Sequence, residues 1–66
     1  MRNAALYVPI PGLFKFKKLY DEDEYLQLSL DPDPRTVSVF YIEEEVDLKE
    51  LMEYLKERKI NCRIKL

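Results

Sequence analysis

Residues 46–59, VDLKELMEYLKERK, constrain this chain more than any other stretch, because they combine a helix-start signal with a single apolar stripe. Asp47 is placed to accept from the free N–H groups of a first turn, Glu50 to reach back to it, and Val46 to pack onto Leu51. Leu48, Leu51, Met52 and Leu55 recur at helical spacing and mark one buried side. Glu43, Glu44 and Glu45 precede the positive end of this helix, and Arg58 and Lys59 stand at its negative end. The pattern predicts a helix over about 47–59, and no other segment shows one as clearly. A lone amphipathic helix must bury its stripe against something else, and the remaining segments read as strands.

Residues 4–10 put Leu6, Val8 and Ile10 on one side and Tyr7 and Pro9 on the other. Pro9 has no N–H to donate, which suits an edge strand or a strand end. Pro11-Gly12 marks a corner, and residues 13–20 (LFKFKKLY) read as a second strand. Asp21 to Glu24 form an acidic loop before residues 25–30, where Leu26, Leu28 and Leu30 alternate with Tyr25, Gln27 and Ser29. Asp31-Pro32-Asp33-Pro34 is the next connection, since each proline pushes the preceding aspartate out of the helical region. A fourth strand is expected over 35–42. A fifth, over 60–66, alternates Ile60, Cys62, Ile64 and Leu66 with Asn61, Arg63 and Lys65.

The expected fold class is α+β: a single small domain over residues 1–66, β-β-β-β-α-β, with a mainly antiparallel sheet and one helix packed on one face. The fifth strand either pairs beside the fourth or crosses the sheet to lie antiparallel to the first, and the sequence leaves both open. The expected core is Leu6, Val8, Ile10, Leu26, Leu28, Leu30, Val37, Val39, Cys62 and Ile64 against the helix stripe.

A chain of 66 residues buries only about 60% of its unfolded surface. Cores that thin commonly lean on a disulfide, a metal or a second subunit. Cys62 is the only cysteine and there is no histidine, which removes an internal disulfide and the usual zinc sites. Self-association is the support that remains. Its expected location is the run Val39-Phe40-Tyr41-Ile42, apolar on both sides of the pleat. With the helix on one face, Tyr7, Tyr25, Phe40 and Ile42 would lie on the other, surrounded by Lys15, Lys17, Arg63 and Lys65. These eight are the expected partner-binding residues, although cross-strand pairing among the aromatics would also account for them.

The same inventory argues against an enzyme. Without histidine there is no Ser-His or Cys-His nucleophile, and Gly12, the single glycine, follows a proline and builds no phosphate loop. The acidic clusters 21–24 and 31/33 lack the glycine and closing glutamate of a calcium loop, so no metal or cofactor is expected. Segments 21–24 and 43–45 would form an anionic patch if they met at one end of the sheet.

Apolar residues at 47% and charged residues at 36% suit a folded chain, and no run approaches the roughly 18 apolar residues of a membrane span. With one thiol and no recognisable targeting segment, the cytoplasm is the expected compartment. The expected function is a small non-enzymatic interaction or regulatory protein, an inhibitor of or adaptor for another protein, acting through its sheet face or edge and forming a homodimer. The alternative is single-stranded nucleic-acid binding on a face where Lys15, Lys17, Arg63 and Lys65 interleave with Tyr7, Tyr25 and Phe40. The net charge of −2 weighs against that alternative.

Overall fold

Two prolines decide where the first strand stops. In the computed structural model, which describes residues 4–66, β1 spans Ala4–Tyr7 and α1 begins at Ile10, directly after Pro9. Pro11 sits in the first helical turn, where a missing N–H leaves nothing unpaired. The chain continues through α1 (Ile10–Glu22), α2 (Glu24–Ser29), β2 (Leu30–Pro32), β3 (Val39–Ile42), α3 (Leu48–Glu57) and β4 (Arg63–Lys65). The class is α+β, with three helices and a four-stranded antiparallel sheet.

The order of elements differs from the strand-rich expectation, because residues 13–20 and 25–30 are helical. LFKFKKLY alternates, but its apolar residues also recur at helical spacing. On α1, Phe16 is fully buried while Leu13, Leu19 and Tyr20 pack against the core. Phe14, on the strand-like parity of Phe16, is turned to solvent. Asp23 breaks the two helices apart. Its backbone is extended, and its Oδ1 accepts from the Leu26 N–H at 3.1 Å, capping α2.

Strand order is β2-β3-β1-β4, every neighbouring pair antiparallel. The first strand in sequence is therefore interior, flanked by β3 and β4. The last strand takes the second of its two open placements, antiparallel to the first. This connectivity is a split βαβ arrangement. Leu6 stands opposite Phe40 on one side and Ile64 on the other, and Ile42 lies between Ala4 and Leu30.

The core gathers Leu6, Val8, Leu26, Leu30, Leu51, Leu55 and Cys62, as expected, and adds Phe16, Phe40, Ile42 and Ile60. Ile10, Leu28 and Val37, expected inside, are exposed. Phe40 meets Phe16 edge-on at 4.8 Å and Tyr20 at 5.5 Å between ring centroids.

In α3 the Asp47 carboxylate accepts from the N–H groups of Lys49 at 3.0 Å and Glu50 at 3.2 Å. The helix closes with Lys59 in the left-handed region, φ 60°, where Ile60 N–H donates to Leu55 O and Lys59 N–H to Lys56 O. That pair of bonds is the Schellman closure, which normally uses glycine at this position.

Candidate interaction surface

Successive strand residues point to opposite faces, so the register sorts the sheet into two sets. Ala4, Leu6, Leu30, Phe40 and Ile42 belong to the set buried in the core. The other set forms two rows across the strands. Arg63, Tyr7 and Val39 stand side by side in one, and Lys65, Ala5, Tyr41 and Asp31 in the next.

Tyr7 is 37% exposed, with Lys65 Nζ 5.6 Å from its ring centroid. Val39 is buried yet absent from the core cluster, which fits its place in the second set. The Tyr41 hydroxyl donates to Asp33 Oδ2 at 3.0 Å, and the Arg35 N–H donates to Asp33 Oδ1 at 2.9 Å. The Arg35 backbone bond, the Tyr41 bond and the Arg35 charge hold the Asp33 carboxyl below its ordinary pKa, while the bond to Asp33 pushes the Tyr41 phenol up. A shallow hollow lined by Tyr7, Val8, Pro9, Ile10, Ser38 and Arg63 continues this surface past the end of β1.

Of the eight residues expected to bind a partner, Tyr7, Arg63 and Lys65 share this surface. Phe40 and Ile42 do not: they are 2% and 1% exposed, in the core. The expected parity of β3 is reversed, because α1 supplies Phe16 and Tyr20 as packing partners for Phe40. Lys15 and Lys17 lie on α1, with Lys15 Nζ 3.5 Å from the Lys59 carbonyl. Tyr25 lies on α2, its ring centroid 4.5 Å from that of Tyr54. Tyr41 was missed by sequence reasoning. The alternation within Val39–Ile42 carries the signal for it, once Phe40 is assigned to the core.

A second polar cluster ties the helices together. The Tyr54 hydroxyl donates to Asp23 Oδ2, and the Arg58 guanidinium lies 3.5 Å from the Tyr54 ring centroid while donating to the Tyr54 carbonyl. The bond to Asp23 is the main cause that pushes the Tyr54 phenol above its ordinary pKa. Residues 21–24 thus close one helix and open the next, and are not a connection between strands as the anionic-patch argument supposed. Among the described residues no group of three or more acidic or thiol side chains is arranged to hold a metal ion. Cys62 is buried, and burial pushes its thiol pKa up. Among the described residues no helix is long and apolar enough to cross a membrane. The chain matches no family model, no curated protein and no solved structure.

Proposed function

We propose that this chain is a small non-enzymatic interaction module, an adaptor or inhibitor type of protein, that engages a protein partner through the sheet face bearing Tyr7, Tyr41, Arg63 and Lys65. The observation that carries the reading is Tyr7. A tyrosine on an interior strand, with strands bonded on both sides, is still 37% exposed. The reading takes the helices to cover one face of the sheet only. Support comes from the exposure of Arg63 and Lys65 and from the absence of Val39 from the core cluster. Tyrosine and arginine are the residue types that anchor protein interfaces, since each combines a large contact area with a polar end.

A photo-reactive phenylalanine analogue in place of Tyr7, with the same analogue at exposed Lys56 on α3 as control, tests this in the cells that make the protein. The expected result is a discrete adduct from position 7 and none from position 56. No adduct from position 7, or equal adducts from both, would overturn the reading.

One arrangement favours a second reading, single-stranded nucleic acid. Tyr7 and Tyr41 lie on the two central strands as diagonal neighbours, beside the cations of β4, so stacking faces and phosphate-binding charge are adjacent. The platform is smaller than the sequence suggested, because Lys15, Lys17, Tyr25 and Phe40 are elsewhere. Fluorescence anisotropy with short single-stranded oligonucleotides at two salt concentrations decides it: binding that weakens with salt supports this reading, and no binding removes it.

A further inference from the structure

Two apolar side chains on α1 stand out into solvent: Phe14, 84% exposed, and Ile10, 74% exposed. Four positions apart, they share one side of the helix, turned away from the side on which Phe16 is buried. Pro9 and Pro11 beside them are exposed as well. Lys17 and Lys18 follow Phe14 by three and four positions, so they stand on the same side about 5 Å farther along the axis, with Lys15 next to them. All three lysines are exposed, and among the described residues none of them forms an ion pair. No acidic residue occurs in 4–20, and Asp21 and Glu22 come at the far end of the helix, about 10 Å beyond Phe14. Along the axis the order is apolar tip, basic belt, acidic end.

We propose that this end of α1 is a peripheral membrane anchor: Phe14 and Ile10 enter the interface of an anionic lipid leaflet, and Lys15, Lys17 and Lys18 lie among its headgroups. Charge selects an anionic occupant, since each lysine near such a leaflet adds about fivefold in affinity. The backbone favours hydrocarbon over protein. The first four N–H groups of a helix have no partner inside it, and each one left open in hydrocarbon is costly. Here Pro9 and Pro11 have no N–H, and the Gly12 N–H donates to Pro9 O at 3.0 Å. Three of those four positions therefore need no acceptor from outside. A protein surface supplies acceptors and an acyl layer does not, and this tip has little use for them. A Cβ placed on Gly12 would meet nothing within 4 Å, so the first turn stands clear of the rest of the chain.

Leu28 supplies the contrast. It is 72% exposed on α2, but it shares a hollow with Glu45, Asp47 and Glu50, surroundings that an anionic leaflet repels. A second copy of the chain suits the tip poorly, because two-fold packing there would set the lysines of the two copies side by side. Two apolar side chains and three lysines give reversible contact, far weaker than the insertion of a spanning helix. None of these residues is Tyr7, Tyr41, Arg63 or Lys65, so the anchor and the sheet-face partner stand or fall separately.

Co-sedimentation with vesicles tests the anchor, using phosphatidylcholine alone and phosphatidylcholine with about 30% phosphatidylserine. The expected result is binding to the anionic vesicles that is weaker by about tenfold or more on the neutral ones and falls as salt screens the lysines. Phe14→Ser and the double variant Lys17→Gln/Lys18→Gln should each weaken binding by about tenfold or more. Circular dichroism establishes that the variants are folded. The chain has no tryptophan, so Phe14→Trp reports on its own position: its emission should move to shorter wavelength on the anionic vesicles, while that of Leu28→Trp should not. No binding to the anionic vesicles overturns the anchor, as does binding that Phe14→Ser and the lysine variant both retain. Equal emission shifts from positions 14 and 28 place the contact elsewhere and also overturn it. A discrete protein adduct from a photo-reactive phenylalanine analogue at position 14, without vesicle binding, assigns the tip to an acidic protein instead.

Discussion

The Tyr54 hydroxyl bonds to the carboxylate of Asp23, 31 residues away in the chain. The same carboxylate caps α2 through the Leu26 N–H, so one side chain starts a helix and fastens it to α3. Asp23→Ala removes both contacts and Tyr54→Phe only one.

Urea unfolding should therefore rank the two substitutions. Tyr54→Phe is expected to cost about 1 kcal/mol, the usual net value of a partly exposed hydrogen bond. Asp23→Ala should cost about 1 kcal/mol more, the typical value of an N-cap. Equal losses would show that the cap contributes nothing.

Core and surface substitutions on β3 should part company in the same assay. Phe40→Ser removes the ring that meets Phe16 and Tyr20 and leaves a hydroxyl in the core. A loss of about 3–5 kcal/mol is expected, close to the whole stability of a domain this small, so the variant should lack a cooperative thermal transition. Tyr41→Ser, on the opposite face, should keep its cooperative transition. The reverse result would mean that the face assignment of β3 is inverted.

Lys59 offers a gain in place of a loss. It holds φ 60° at the end of α3, a conformation that costs an L-residue about 1 kcal/mol relative to glycine. Lys59→Gly should raise the urea midpoint by the corresponding amount, less the entropy that glycine adds to the unfolded chain. A lower midpoint would show that the entropy glycine adds to the unfolded chain outweighs the relief of the left-handed backbone.

The phenols predict an alkaline limit. Burial raises Tyr20 and Tyr25, and bonds to carboxylates raise Tyr41 and Tyr54. A raised folded pKa means the native state holds its proton more tightly. The associated stability is complete below the unfolded value of about 10 and is lost as pH rises through the higher folded values. Asp33 behaves oppositely: its folded pKa is lowered, so its contribution is present above the ordinary carboxylate value and is lost as pH falls through the lower folded value. Ultraviolet titration should show late tyrosine ionisation, and Tyr54→Phe should remove one of the late groups. Ionisation of all tyrosines near 10 would contradict the bonding described.

Much of α3 was legible in the sequence because its determinants are local. Asp47 caps it and Leu51 and Leu55 are its buried residues, all within nine positions of one another. β1 was legible as far as Tyr7, and Val39 to Ile42 as a strand. The first two helices were not, because Leu13, Phe16 and Tyr20 satisfy a helical period while Phe14 and Phe16 satisfy a strand period. In eight residues the two cannot be told apart. Asp23 carried a cap signal, hidden within four consecutive acids. The site inherited that error: without α1 there was no reason for Phe40 to turn inward, so Tyr41 was not seen to face out. Alternation alone puts Arg63, Lys65 and Tyr7 on one side of the pleat, as the register does.

The interior position of β1 has a consequence for how the protein is made. Its two neighbours are β3 and β4, with Ala5 opposite Tyr41 on one side and Lys65 on the other. Among the described strands, the first to leave the ribosome is thus the one whose partners emerge last, whereas β2 and β3 are close enough in sequence to form a hairpin early. Pairing across such separations is slow compared with helix formation. Until the β4 segment is synthesised, Leu6 and its neighbours have one bare flank, and the sheet is completed only by the closing residues of the described chain.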